Sequence, residues 1–353
     1  MDDEFSEKQF FLEAFQGTIL TFTLEGEGGV RGVDLDHLHG VVTTLIRAGV
    51  RCWLLIRKVP ELEEEVARRF GPLPAWNGDD RSLSLLWRGN APLTLTGLDP
   101  DRGASFRRQV VELTTRWRVQ RLVVTDPGGG VRDHRGRILG FVNSHNLDLL
   151  AREQPGILEH VAALLAGGVA EVSLCRPEEV GAELFTYQGA GTFFAHHHYC
   201  RVRPLTLNDF RQVADLIRRG EREGYLLPRD DARLLEVLNA GYGAFVAGNQ
   251  MAGVCALLRE PYRDDRAAEV AAIYTLTRFQ GEGVGVQLVR ALRQEARQLG
   301  LAYLFACTHS PRVMDFFRRN GFRPVEQDRI PVAKWRSYEQ KRRAEVVCLR
   351  CDL

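Results

Sequence analysis

Gln280-Gly281-Glu282-Gly283-Val284-Gly285 joins an apolar strand, expected over Glu269 to Leu276, to a helix expected over Val284 to Leu299. The helix would carry Leu288, Leu292, Ala296 and Leu299 on one face, at helical spacing, and Gly300 would stop it. Glycines at a strand-to-helix turn let a ligand approach the backbone closely. The free N–H groups and the dipole of the helix start favour an anion, and a diphosphate is the natural guest. Two phosphate loops do not fit. A Walker A loop needs Gly-Lys-Ser/Thr where this chain has Val286-Gln287, and in a GxGxxG loop the third glycine would come one place later. On these residues alone a plain glycine-rich turn remains the alternative.

Working outward, Ala244 to Ala247 and Met251 to Leu258 read as strands around a hairpin turn at Gly248-Asn249-Gln250. Asn208 to Arg219 reads as a helix, and Leu301 to Cys307 as a strand. Ser310-Pro311 supplies an N-cap and first turn for a helix reaching Arg319, and an alternating strand, Val346 to Cys351, closes the chain. Upstream the pattern differs. Strands are expected at Thr18–Leu24, Arg51–Ile56, Arg121–Thr125 and Ala170–Cys175, alternating with helices at Leu35–Ala48, Phe106–Trp117 and Ile157–Leu165. Such alternation predicts an α/β sheet with parallel neighbours. The boundary falls at His196-His197-His198-Tyr199. Adjacent histidines point in different directions and no HxxxH spacing accompanies them, so this is read as a linker, not a metal site.

The length, 353 residues, predicts two domains, placed at 1–198 and 199–353. Lys+Arg of 47 against Asp+Glu of 46 gives a net charge of +1, no electrostatic case for nucleic acid or a membrane surface. No apolar run suits a membrane span, and the acidic start Met1-Asp2-Asp3-Glu4 is unlike a signal peptide, so a cytoplasmic location is expected. The 7 cysteines are odd in number and scattered, which argues against a disulfide framework. Cys348 and Cys351 form a CxxC with no second pair, a weak case for zinc or redox chemistry.

The loop fits the Q/R-x-x-G-x-G/A pattern of the GNAT acetyltransferases, and the order of elements around it resembles a GNAT domain. More narrowly, residues 201–353 resemble the acetyltransferase domain of bacterial N-acetylglutamate synthases. The resemblance rests on Arg203-Pro204-Leu205-Thr206, Leu227-Pro228-Arg229, Glu269-Val270-Ala271-Ala272, Asn320-Gly321-Phe322-Arg323-Pro324 and Ile330-Pro331-Val332-Ala333-Lys334. Tyr338 to Val347 extends it. Glu183-Leu184-Phe185-Thr186 with Gly189-Ala190-Gly191-Thr192 is similar to the segment that closes the family's amino-acid-kinase-like domain. Ser6 to Phe15 resembles its N-terminal helix, and Arg121 to Gly130 its LTDxxG turn. The fold implied is a shortened kinase-like α/β sandwich followed by a GNAT α+β domain.

The resemblance implies transfer of an acetyl group from acetyl-coenzyme A to the amine of L-glutamate, the first step of arginine synthesis, with no metal. Gln280 to Gly285 would hold the pyrophosphate. Glu269 would be the catalytic base, in apolar surroundings that suit a general base. Arg229 and Arg342 would bind substrate carboxylates, for which the guanidinium fork is suited. Lys334 is a weaker candidate, read as solvated. Phe317 stands where many GNAT enzymes have a tyrosine acid, and Ala344 where the synthases have a serine, with Tyr338 a possible substitute. Leu24-Glu25-Gly26-Glu27-Gly28-Gly29 and Arg57-Lys58-Val59-Pro60 lack the family's phosphate-holding lysine and glycines, which predicts no kinase activity. In the family this domain binds arginine as a feedback effector, making Glu183 and Gly189 candidate contacts, although Glu183 could equally be a capping or solvated residue. The resemblance also suggests a homo-oligomer. Two alternatives stay open: another amino-acid or amine acceptor, or a non-catalytic sensor of arginine or acetyl-coenzyme A.

Overall fold

The computed structural model describes residues 7–25, 32–73, 76, 84, 88, 91–99, 105–153, 155–186, 188–196, 200–246, 250–276, 283–336 and 340–353. The chain forms two compact units, Met1–Tyr199 and Cys200–Leu353.

The first unit is built on seven strands: β1 (Ile19–Leu24), β2 (Arg51–Arg57), β3 (Leu93–Leu98), β4 (Arg121–Thr125), β5 (Phe141–Asn143), β6 (Glu171–Cys175) and β7 (Thr192–Ala195). Their order is β3-β2-β1-β4-β6-β7-β5. All pairs are parallel except β6 with β7. Its helices are α1 (Glu7–Phe15), α2 (Gly32–Arg47), α3 (Pro60–Phe70), α4 (Phe106–Arg116), α5 (Ser144–Glu153), α6 (Ile157–Ala166) and α7 (Val180–Phe185). A parallel sheet is covered on both faces, so its strands are buried nearly throughout: every residue of β6, and all but the first of β1, is buried. The parallel sheet expected from the alternation is present. Strand β3 and helix α3 are additions to the sequence reading. Only Leu62 and Val66 of α3 are buried, too few to leave a clear apolar stripe.

The second unit is also a seven-stranded sheet, of the opposite character. Strands β8 (Arg201–Pro204), β9 (Gly241–Val246), β10 (Gln250–Leu258), β11 (Ala267–Thr275), β12 (Tyr303–Thr308), β13 (Arg323–Val325) and β14 (Val347–Asp352) lie in the order β13-β14-β12-β11-β10-β9-β8. Every neighbouring pair is antiparallel except β11 with β12. Helices α8 (Phe210–Arg222), α9 (Asp231–Asn239), α10 (Val284–Gln298), α11 (Pro311–Arg319) and α12 (Gln340–Glu345) complete it. As expected, the Ser310 side chain caps α11, accepting from the backbone N–H of Val313 at 3.4 Å. Helix α10 buries Val284, Leu288, Val289, Leu292 and Ala296. Leu299, assigned to that face, is 42% exposed, because the helix ends just before it.

Two irregularities shape the middle of this sheet. The β11–β12 ladder consists of Ala267↔Tyr303, Ala268↔Leu304 and Glu269↔Phe305, and stops there. Strand β11 runs on to Thr275, so the two strands part beyond Glu269. Nearby, the β10–β11 register shifts between Val254 and Ala256, and Ala272 takes a positive φ of 51°. This is a β-bulge, a device that re-aims backbone groups beside functional sites.

Candidate active site

Glu269 is buried at the point where β11 and β12 part, with 6% of its surface exposed. Burying a carboxylate requires compensating partners, and there are two. Tyr262 Oη–H donates to Glu269 Oε2 at 2.7 Å, and Lys334 Nζ donates to Oε1 at 2.5 Å. Tyr262 ends a short 3₁₀ turn, Glu260–Tyr262, and its ring packs edge-on to Phe305 with centroids 4.9 Å apart. Burial, with the Glu269 carboxylate beside it, drives the Tyr262 hydroxyl far above the ordinary phenol range, so it remains a donor. Lys334 lies in another 3₁₀ segment, Val332–Trp335.

Lys334 corrects an expectation. It was read as solvated, yet its side chain is 15% exposed and ion-paired to Glu269. Its sequence surroundings, Ile330-Pro331-Val332-Ala333, have no periodicity to mark a buried cation. Tyr262 was missed altogether. Glu260-Pro261 before it signals a turn, but nothing in the sequence says that the turn folds back onto the strand it precedes.

Arg229 lies between α8 and α9. Its backbone N–H donates to Glu221 Oε1 at 2.8 Å, and its Nη1 donates to the Leu227 carbonyl at 2.9 Å. Burial pulls its guanidinium below the ordinary range, while the Glu221 and Glu269 carboxylates push back. Arg229 and Glu269 therefore share one electrostatic neighbourhood. The side chain of Arg342, in α12, lies outside the described residues, as do Gln280, Gly281, Glu282, Tyr338, His197, His198 and residues 26–29. Phe317 is a core residue, 2% exposed, with its ring edge-on to Phe322 at 4.9 Å. Ala344 is exposed.

A cleft of about 730 Å³ runs from Ile273, Tyr274 and Thr275, at the bulged end of β11, to the start of α10, and is also lined by Tyr225, Gly283, Gly285 and Phe316. Gly283 caps α10 in the left-handed conformation, at φ 88°, which favours glycine. At Gly285 a Cβ would come within 3.0 Å of the Phe316 ring. Arg312 and Arg319 also line this cleft. A helix start, close-packed glycines and two arginines suit a phosphate-bearing ligand with a long arm. A second groove, about 760 Å³, lies along the outer side of α10 and is lined by Arg290, Arg293, Arg297 and Arg319. It does not reach the bulged end of β11, whereas the first cleft does, so the first cleft is the candidate ligand site.

In the first unit, Glu183 is 2% exposed. Its Oε1 accepts from Ser173 Oγ at 2.9 Å. Its Oε2 accepts from the backbone N–H groups of Ala190 and Gly191 at 3.1 and 2.9 Å. Gly189 has φ 67° and donates its N–H to Thr186 Oγ1 at 3.1 Å. At Gly191 a Cβ would stand 2.1 Å from the Leu174 carbonyl oxygen. These residues pin the loop that feeds β7. Among the described residues no cluster of three or more His, Cys, Asp or Glu is placed to hold a metal, and no helix is long and apolar enough to cross a membrane.

Residues 210–322, which include the parted sheet, the buried carboxylate and the glycine-lined helix start, match the model of the acetyltransferase (GNAT) family. About three-quarters of the chain is similar to curated amino-acid acetyltransferases. The amino-acid acetyltransferase of Pseudomonas syringae pv. syringae is 29% identical over 282 residues, covering 76% of this chain and 62% of the relative. That of Yersinia pseudotuberculosis serotype O:1b is 27% identical over 262 residues, covering 69% and 58%. The chain thus spans about three-fifths of the length of the curated relatives it matches. The crystal structure of N-acetylglutamate synthase from Neisseria gonorrhoeae, complexed with coenzyme A and L-arginine, superposes with a TM-score of 0.64 at 18% identity, covering 98% of each chain. The fold is therefore an amino-acid-kinase-like unit followed by a GNAT domain.

Proposed function

We propose that the chain acetylates the amine of L-glutamate with acetyl-coenzyme A, giving N-acetylglutamate, the first product of arginine synthesis. The observation that carries this reading is the buried Glu269, held by Lys334 and Tyr262 where β11 and β12 part, with Arg229 in its field. Acetyl-coenzyme A supplies an activated thioester. Gly283, Gly285 and the start of α10 would hold its phosphates, with Gln280, Gly281, Glu282 and Val284 completing the loop. Glu269 would take the proton of the ammonium, which makes the amine a nucleophile. Arg229, with Arg342, would clamp the acceptor's carboxylates, which fixes the amine near the carbonyl and suits a dicarboxylate over a polyamine. Glu183 and Gly189 are kept as candidate arginine contacts through the loop they hold. The chain is expected to act in the cytoplasm, as a homo-oligomer.

Thiol release from acetyl-coenzyme A, measured with L-glutamate and a panel of amino acids and amines, with and without L-arginine, tests the proposal. Glutamate-dependent release, abolished by Glu269→Ala and Arg229→Ala, supports it. Release only with a different acceptor would replace the substrate and keep the chemistry. Acetyl-coenzyme A binding with no release for any acceptor would favour a sensor.

A further inference from the structure

Two thiols face each other beside Glu269. Cys307 on β12 and Cys348 on β14 are register partners, with their Sγ atoms 4.0 Å apart. The backbone shows what kind of pair they are. The Leu353 N–H donates to the Ala302 carbonyl at 3.2 Å, which marks 302/353 as a hydrogen-bonded position. The pairs alternate from there, and the register from Tyr303↔Asp352 to Thr308↔Val347 has no shift. Cys307/Cys348 is therefore a non-hydrogen-bonded pair, in which Cα atoms approach to about 4.5 Å. A disulfide tolerates Cα separations of about 4.4–6.8 Å, so rotation of the two side chains is enough to bring the sulfurs into bonding contact.

The CxxC of the sequence, Cys348 and Cys351, is not this pair. Cys348 and Cys351 are three apart on one strand and so face opposite sides of the sheet, and Cys351 Sγ lies 3.6 Å from the Asp352 carbonyl instead. The paired thiols also differ from the others in charge environment. The Cys307 S–H donates toward Cys348, and Lys334 and Arg343 add positive potential, so Cys348 is held below the ordinary thiol range. The same hydrogen bond, with burial, holds Cys307 above it. Burial alone pushes Cys52 up to about 12 and Cys200 up to about 11. Cys348 is thus the more acidic thiol of the pair, and although it is buried, the partly exposed Cys307 beside it opens the pair to solvent.

We propose that Cys307 and Cys348 are an oxidisable dithiol whose disulfide switches off the adjacent transfer site. The oxidant is a hydroperoxide. The Cys348 sulfur attacks a peroxide oxygen, the O–O bond breaks, and Cys348 becomes a sulfenic acid while hydroxide leaves and is protonated to water. The Cys307 sulfur then attacks the Cys348 sulfur. The S–S bond forms, the S–O bond breaks, and the oxygen departs as water with the Cys307 proton. The balance is two thiols and one hydrogen peroxide in, one disulfide and two waters out, and a dithiol reductant reverses it. Closure draws the sulfurs from 4.0 Å to about 2.05 Å. It also ties β12 to β14 two residues from Phe305, the register partner of Glu269, near Lys334, the cation that holds Glu269. The loss of activity rests on the proposed role of Glu269, whereas disulfide formation does not.

The test treats the full chain with hydrogen peroxide and reads intact mass, peptide mapping and thiol release, before and after dithiothreitol. The expected result is a loss of two mass units, a linked peptide pair containing Cys307 and Cys348, and at least a tenfold fall in rate that dithiothreitol restores. Cys307→Ser should block the linked pair and leave a sulfenic acid at Cys348 that dimedone traps. If that variant does not fold, Cys348→Ser serves, in which neither adduct should form at position 307. Linkage of any other pair, or no linkage, overturns the dithiol. Linkage with an unchanged rate overturns the switch. If the reduced chain transfers no acetyl group to any acceptor, the proposed function and the switch fall together, while the mapped disulfide still decides the dithiol.

Discussion

Replacing Lys334 by Met should loosen the second unit, because Glu269 loses the cation that compensates its burial. The two side chains are 15% and 8% exposed, with nitrogen and oxygen 2.5 Å apart. At an effective dielectric constant of about 20, that separation corresponds to a gross attraction of about 7 kcal/mol. Removing two ions from water offsets most of this, so the pair as a whole contributes little compared with apolar residues. Removing one partner is different, because the other charge stays buried. That loss is about 3 kcal/mol, at the low end for buried pairs, since Tyr262 still donates to Glu269. The suitable assay is native-state amide exchange of the peptides spanning 262–276 and 303–308, which reports this unit irrespective of the other. Lys334→Met should speed exchange of the slowest amides roughly 150-fold. Glu269→Gln in the same background should recover part of the loss, with a coupling energy of about 2 kcal/mol across the double-mutant cycle. A coupling below about 0.5 kcal/mol, the value of an exposed ion pair, would refute the reasoning: the two side chains would then be solvent-separated.

Three further outcomes are expected. Glu183→Ala leaves Ser173 Oγ and the N–H groups of Ala190 and Gly191 without their acceptor, and thermal unfolding should show the first unit destabilised by about 3 kcal/mol. Gly191→Ala places a methyl group 2.1 Å from the Leu174 carbonyl oxygen and should cost about 3 kcal/mol in the same measurement, by overpacking. Burial, with Arg107 adding to it, pushes the His160 imidazole down to about 4 from 6.5. The unfolded chain therefore binds the extra proton first. Stability is complete above pH 6.5 and falls by about 3 kcal/mol as the pH drops through 4, and His160→Gln should flatten that limb of a pH–stability curve.

The parts of the fold legible in the sequence are those whose burial leaves a continuous apolar run or a helical stripe. Arg51–Arg57 and Arg121–Thr125 are buried on both faces and stand out as apolar runs between helices. Strand β3 does not, because LTLTGL interleaves threonines that resemble a loop until a neighbouring strand buries them. At the site, Glu269 was legible because it sits in an apolar strand just ahead of a glycine-rich loop. Its partners were not. Lys334 comes from 65 residues along the chain and Tyr262 from a single turn, so only the folded sheet brings them together. The cysteine pair follows the same logic: Cys348 and Cys351 are close in sequence but on opposite faces, while Cys307 meets Cys348 across two strands.

The short β11–β12 ladder has a mechanical consequence. It divides the second sheet into two panels, β8 to β11 and β12 to β14, joined through the strands by a seam of Ala267↔Tyr303, Ala268↔Leu304 and Glu269↔Phe305. The cleft takes its walls from both panels: Tyr274, Thr275, Gly283 and Gly285 lie on the β8–β11 side, and Arg312 and Phe316 come from α11, which packs on β12 to β14. Whatever fills it acts as a splint across the seam, and neither panel can unfold without expelling it. Ligand binding and the cooperativity of this unit are therefore linked, and the same opening that admits a ligand sets how independently the two panels can breathe without one.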